Sequence, residues 1–277
     1  MRPLLFEVFG FPINSYGLSK VLAAFAAAYL LGREFRRLGW DPEQAWNIVM
    51  VATVLGFAGG KLYYLGENFE NLSMHHFGSA GFTWYGGLIA GVLTVTVMAK
   101  RYKLPLGQLA GIAAAPLSLA YAIGRIGCFM AGDGTYGQPS ELPWTMAFPA
   151  GTMPTLVPVH PTALYEAAFA FALAGLLWWA RRHVAPVAVF GLYAVLSGLA
   201  RFLVEEVRIN REVLLGMTSP QLWSLVLVAI GVGLLIGVRQ RRVDETVSPS
   251  LYVGDESKMG SPESGREPAN SSATRQS

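Results

Sequence analysis

Arg125 is the residue around which chemistry can be built. It stands in the stretch Gly124 to Trp144, GRIGCFMAGDGTYGQPSELPW. An apolar run that begins near Leu106 ends there, at a depth where a guanidinium is costly and usually has a purpose. Its planar fork of donors suits a phosphate. Glycines at 124, 127, 132, 134 and 137 let the backbone bend and approach a ligand closely. The combination points to a lipid-headgroup site. A helix end stapled by an arginine to a neighbouring carboxylate would leave the same trace.

Five further ionisable residues lie inside or at the edge of apolar runs: Lys20, Lys61, Glu166, Arg201 and Glu205. Each is a functional candidate by default. In RFLVEEVR, Arg201, Glu205 and Arg208 stand at i, i+4 and i+7, so they share a helix face, and Arg201 can pair with Glu205 along it. Arg208, nearer water, reads as the self-neutralised end of that cluster. Arg201 lies about one turn deeper. Facing Arg125, it would complete a positive, partly desolvated pocket that fits a phosphodiester and stabilises charge building on a departing phosphate oxygen. Tyr16, Tyr85 and Trp84 open apolar runs, as interfacial anchors do, and Gly86-Gly87 allows close helix approach. Pro161 suits a first helical turn, and His160 beside it is either a base or a cap.

The elements that hold these residues follow from composition. Of 277 residues, 53% are hydrophobic and 14% charged, with a mean hydropathy of +0.40. Soluble domains carry about a quarter charged residues, so a multi-pass membrane protein is expected. Runs of spanning length fall at roughly 16–31, 44–66, 82–99, 106–130, 161–180, 187–205 and 220–238, each near the ~20 residues a bilayer requires. The fold class expected is therefore all-α with seven transmembrane helices, the first a retained span rather than a cleaved signal, and the fourth kinked at Pro116. Basic residues follow spans one, three, five and seven (Arg33, Arg36, Arg37; Lys100, Arg101, Lys103; Arg181, Arg182; Arg239, Arg241, Arg242). Those ends are expected to be cytoplasmic, with the N-terminus outside and the C-terminus inside. The loop 131–160 and the stretch 205–219 then form an outer-face head. Residues 1–242 make one membrane domain. From 243 to 277 the composition turns to Ser, Gly, Glu, Pro and Asn, which predicts a disordered cytoplasmic tail.

Several chemistries are disfavoured. The single cysteine, Cys128, permits no internal disulfide, and the four histidines have no metal-ligand spacing, so no metal or other cofactor is expected. Hydrolysis by a serine elbow lacks its GxSxG. An anion path through two arginines would suit a transporter, but the chain has no inverted repeat halves.

The ordered set Tyr16-Gly17-Leu18, Tyr85-Gly86-Gly87-Leu88-Ile89, Gly124-Arg125-Ile126-Gly127, Tyr136-Gly137-Gln138-Pro139, His160-Pro161 with Leu164-Tyr165-Glu166, and Arg201-Phe202 with Val204-Glu205 resembles prolipoprotein diacylglyceryl transferase. That is a seven-span family of the bacterial plasma membrane. The resemblance implies transfer of the diacylglyceryl group from phosphatidylglycerol to the lipobox cysteine of a preprolipoprotein, with a thioether formed and glycerol phosphate released. It implies that Arg125 binds the lipid headgroup and that Arg201 is a second essential arginine. Tyr85 and His160 join them as catalytic candidates. Tyr16, Gly86, Gly87, Cys128, Asp133, Gly137, Tyr165, Glu166 and Glu205 make up the implied substrate-binding set. The expected partners are phosphatidylglycerol, the signal peptide and lipobox of the protein substrate, and membrane lipids; nucleic acid is not among them. Four positions depart from the family pattern. Tyr85 stands where some members have histidine, Cys128 where many have asparagine, Asp133-Gly134-Thr135 where a glutamate precedes the Tyr/Trp-Gly pair, and Ser197 where tyrosine is frequent. Because of these departures, a relative that only binds anionic lipid or lipoprotein is the competing reading.

Overall fold

The computed structural model describes residues 2–71, 73–77 and 81–247. Among them seven α-helices carry most of the chain: α1 (Ser15–Arg37), α2 (Pro42–Glu67), α3 (Trp84–Arg101), α4 (Leu106–Ala131), α5 (Thr162–Ala180), α6 (Pro186–Glu205) and α7 (Ser219–Val247). Each coincides with one of the apolar runs. Six are long and apolar enough to cross a membrane, which makes this a multi-pass membrane protein. The seventh, α3, has 18 residues and takes Lys100 and Arg101 into its last turn, so it falls short on composition.

Local chemistry sets the helix ends. The Asp41 carboxylate accepts the Glu43 N–H at 2.9 Å and Pro42 occupies the first turn, so α2 starts there. Arg36 and Arg37 lie in the last turn of α1, where positive charge complements the helix dipole. Gly132, left-handed at φ 58°, ends α4. Pro116 is accommodated inside α4, and Pro161 stands just ahead of α5 as its cap rather than in its first turn.

An all-α expectation misses three short antiparallel hairpins: β1 (Leu4–Val8) with β2 (Phe11–Asn14), β3 (Met146–Phe148) with β4 (Thr155–Val159), and β5 (Glu212–Leu214) with β6 (Met217–Thr218). They lie in the segments flanking helices, where backbone groups with no helical partner pair locally. The tail expected from 243 onward begins five residues inside α7 as observed, and its remainder, 248–277, lies outside the described residues.

Small residues decide the packing. Lipid is as apolar as leucine, so helices associate through close van der Waals contact rather than by hiding apolar surface from water. Accordingly Ala114, Ala115, Ser118 and Ala122 of α4 are buried, and the Ser118 hydroxyl donates to Ala170 O of α5 at 2.9 Å. Side chains such as Val54, Leu62, Leu93 and Leu203 are exposed, as lipid-facing residues are. The α2–α3 crossing is closer still. A Cβ at Gly59 would fall 2.7 Å from Gly86 O, and one at Gly86 would fall even nearer to Gly59 O, so neither helix tolerates a side chain at that crossing.

At the other ends of α1 and α5, buried Glu34 accepts from Arg37 Nε at 2.8 Å and from Arg181 Nε at 2.7 Å. The Arg181 guanidinium also covers the Trp178 ring at 3.4 Å. One carboxylate thus ties α1 to the end of α5 through Arg181, with Arg37 of its own helix as a second cation.

Candidate active site

The C-terminal part of α4, the first turns of α5 and the last turns of α6 converge, and each brings ionised side chains. Glu166 of α5 is the centre. Its Oε2 is in ion-pair contact with Arg125 Nη2 from α4, and its Oε1 accepts from Arg201 Nη1 of α6 at 2.9 Å. Arg201 turns its other nitrogen, Nη2, toward Glu205 Oε2 at 2.8 Å, the i, i+4 pair expected from the sequence. The two arginines therefore meet through a shared carboxylate, so the carboxylate staple is observed at the same residues that are candidates for holding an anion.

Glu205 has a side chain fully shielded from solvent. Its Oε1 accepts from Thr218 Oγ1 at 2.9 Å and from the Asn210 amide, and Gln221 in turn receives the Thr218 N–H at 2.9 Å. The approach to α7 thereby orients the carboxylate that orients Arg201. On α4, Tyr121 accepts from Arg125 Nε at 3.1 Å and lays its ring under the guanidinium at 5.3 Å. Tyr121 escaped the sequence reading, although its i−4 spacing from Arg125 was a usable signal.

Arg208 overturns its expected role. It is not a water-exposed terminus of the cluster, because its side chain is only 11% exposed. Its Nη1 stands 3.8 Å from Glu166 Oε1 and its Nε 3.9 Å from Glu205 Oε2, beyond hydrogen-bonding distance, and both nitrogens are buried without a hydrogen-bond partner. Burial first, and then the positive charge of Arg201, push its pKa below the ordinary arginine value. Such a group holds donors ready for an anion. It borders a pocket of about 280 Å³ lined also by Tyr136, Gly137, Val157, Val159 and Asn210.

The loop after α4 closes over this region. The Gly137 N–H donates to His160 O at 2.9 Å, the Gln138 N–H donates to Val207 O at 2.7 Å, and Gly137 forms a β-bridge with Arg208. A Cβ at Gly137 would meet His160 Cβ at 2.7 Å as well as Val207 O, so glycine is required for the loop to pass between α5 and the end of α6. Thr162 Oγ1 donates to Thr135 O at 2.6 Å, and Tyr136 stacks on Phe148 at 4.1 Å, fixing the same loop from both sides.

The remaining candidates divide. Cys128 lies 3.8 Å from Arg125 Nη1, and Asp133, beside it, accepts the Thr135 hydroxyl at 2.7 Å. Tyr16 sits near this side of the cluster, on an open groove formed with Pro12, Ile13, Gly17, Leu18 and Val21. His160 Nδ1 is 3.1 Å from the Tyr165 hydroxyl, which accepts from Trp144 Nε1 at 2.8 Å. Tyr85 is held elsewhere: its hydroxyl is 2.8 Å from Ser219 Oγ at the start of α7, and its ring packs near Trp223. Gly86 and Gly87 serve the α2–α3 crossing already described.

A bundle of membrane-crossing helices around a buried, arginine-rich ionic cluster defines the class: a multi-pass membrane protein with an ionic centre at one end of its helices. The sequence profile of prolipoprotein diacylglyceryl transferase matches residues 3–237. A phosphatidylglycerol–prolipoprotein diacylglyceryl transferase of Clostridium tetani is 33% identical over 240 residues, covering 84% of this chain and 96% of its own. Proteins of the same name from Clostridium perfringens (numbered 2) and Idiomarina loihiensis are 29% and 30% identical, covering 87% and 86% of this chain and 96% and 94% of theirs. The chain belongs to the prolipoprotein diacylglyceryl transferase family.

Proposed function

We propose that the protein transfers the diacylglyceryl group of phosphatidylglycerol to the lipobox cysteine thiol of preprolipoproteins in the bacterial plasma membrane. The observation that carries this reading is the convergence of Arg125, Arg201 and Arg208 on Glu166. Three guanidinium groups at one buried point suit a phosphodiester that must be held and then released with more charge than it brought. In the reaction the substrate thiol loses its proton and its sulfur attacks the lipid glycerol carbon. The bond from that carbon to the phosphate oxygen breaks, and the electron pair stays on the departing glycerol phosphate. Fixed positive groups in a low-dielectric site stabilise that leaving oxygen.

Roles follow from position. Arg125 and Arg201 hold the phosphate, Arg208 offers its unpartnered donors, and Glu166 and Glu205 set the directions of all three. Tyr16, Cys128 and Asp133 line the headgroup side, with Gly137 admitting the loop. His160, oriented by Tyr165, takes the thiol proton as general base. Tyr85, held against Ser219 and Trp223, supports the contact between α3 and the start of α7. The seven helices all span, with the N-terminus and the 131–160 loop outside and residues 243–277 a cytoplasmic tail. The basic helix ends support this orientation.

Purified protein, phosphatidylglycerol and a lipobox peptide should yield a peptide heavier by one diacylglyceryl group, together with free glycerol phosphate. If neither product forms while another member of the family works in the same mixture, the protein binds lipid or lipoprotein without turnover.

A further inference from the structure

We infer that Lys20 is a fourth cation of the headgroup site and contacts the phosphate of the anionic lipid directly. The inference rests on the function proposed above. Lys20 lies in the second turn of α1, and no carboxylate among the described residues is in ion-pair contact with it. Its ammonium is 4.7 Å from the Tyr16 ring centroid, one turn earlier on the same helix. It also packs against α4 at Gly124, where an added Cβ would lie 3.2 Å from Nζ. Gly124 immediately precedes Arg125, and Lys20 and Arg125 both act electrostatically on Cys128. The antiparallel α1–α4 contact, with Ser19 against Gly127 and Lys20 against Gly124, thus places this ammonium at the depth of the arginine cluster.

Arg125 and Arg201 are already engaged by Glu166 and Glu205, so part of their charge is offset before a lipid arrives. Lys20 has no such carboxylate partner among the described residues, and its positive charge is not offset in that way. It is held by a ring face and a glycine surface, neither of which satisfies its three donors. It is therefore available to a phosphate oxygen.

The test uses the full-length protein in detergent micelles with a lipobox peptide and varied phosphatidylglycerol, comparing Lys20→Met, Lys20→Gln and Lys20→Arg with the parent. Loss of one charge-assisted contact should raise KM for phosphatidylglycerol roughly tenfold or more in the Met and Gln variants. kcat should stay within about threefold, the melting temperature without lipid should be near parental, and Arg should restore most of the KM. Parental KM in the two neutral variants, or equal impairment in all three, overturns the role. A fall in kcat and melting temperature that Arg does not repair assigns Lys20 to packing and overturns it equally. If Lys20→Met does not assemble, the Gln and Arg variants decide by the same KM comparison. Failure of the parent itself to turn over would instead count against the transferase reading.

Discussion

Arg201 Nη1 donates to Glu166 Oε1 at 2.9 Å across two helices, while Arg125, from a third, grips the other oxygen of the same carboxylate. Glu166 is therefore a hinge pin for charge. Replacing it with glutamine removes the one negative group that three guanidinium groups share. Breaking a buried pair leaves an uncompensated charge and costs about 3–5 kcal/mol. Glu166→Gln should lower the melting temperature clearly and reduce turnover by on the order of a hundredfold or more. Parental values of both in a purified variant would mean that the arginines position themselves independently.

Arg125→Lys should be nearly as damaging as Arg125→Ala, because two parallel hydrogen bonds to a phosphodiester need the planar fork. A loss on the order of a hundredfold in rate is expected. Arg208→Lys should now be damaging too, since the side chain is buried and its donors face the site. Steady-state rates at matched expression decide this. A fully active Arg208→Lys would return that residue to the role of a surface charge.

Gly137→Ala should disturb the closure of the loop over the cluster, because the new methyl would run into Val207 O and the His160 side chain. Overpacking of this kind typically costs about 1–3 kcal/mol. The measurable sign is easier proteolysis within 132–161, with reduced turnover and with the helical circular dichroism retained.

Cys128→Asn should keep turnover, since the reacting thiol belongs to the substrate. Cys128 lies against Arg125 as a lining residue. A lipid adduct trapped on Cys128, with complete loss in the variant, would require a covalent intermediate instead.

In that cysteine-free background, cysteines placed at Ser140 and Ser250 should label from opposite faces of the membrane. Labelling of both by an impermeant reagent from outside would overturn the proposed topology.

The helices were legible because each is a predominantly apolar run bounded by charge, glycine or proline. Span seven, for instance, was bounded by Pro220 on one side and Arg239 on the other. Arg125, Arg201 and Glu205 were legible because ionised residues stand out against such runs. Arg208 was not: its burial depends on residues 137–138 crossing back to pair with Val207 and Arg208, a long-range contact that composition cannot encode. Likewise nothing in WYGGL says that Tyr85 turns to Ser219, 134 positions later. The hairpins β1–β2 and β5–β6 were hidden by their brevity. Glu34 was passed over because it sits among basic residues at the end of a span, where charge is ordinary; only Arg181 from a distant helix makes it a buried tie.

The sharing of Glu166 among three helices also bears on how the chain is made. Arg125 emerges from the ribosome and must enter the bilayer with α4 before Glu166 exists, and Arg201 follows later still. Until α5 is delivered, α4 carries an uncompensated guanidinium that resists lateral release into lipid. The helices from α4 to α6 should therefore leave the insertion machinery as a group, so that nascent chains that stop short of Glu166 remain extractable while those extending past Arg208 do not.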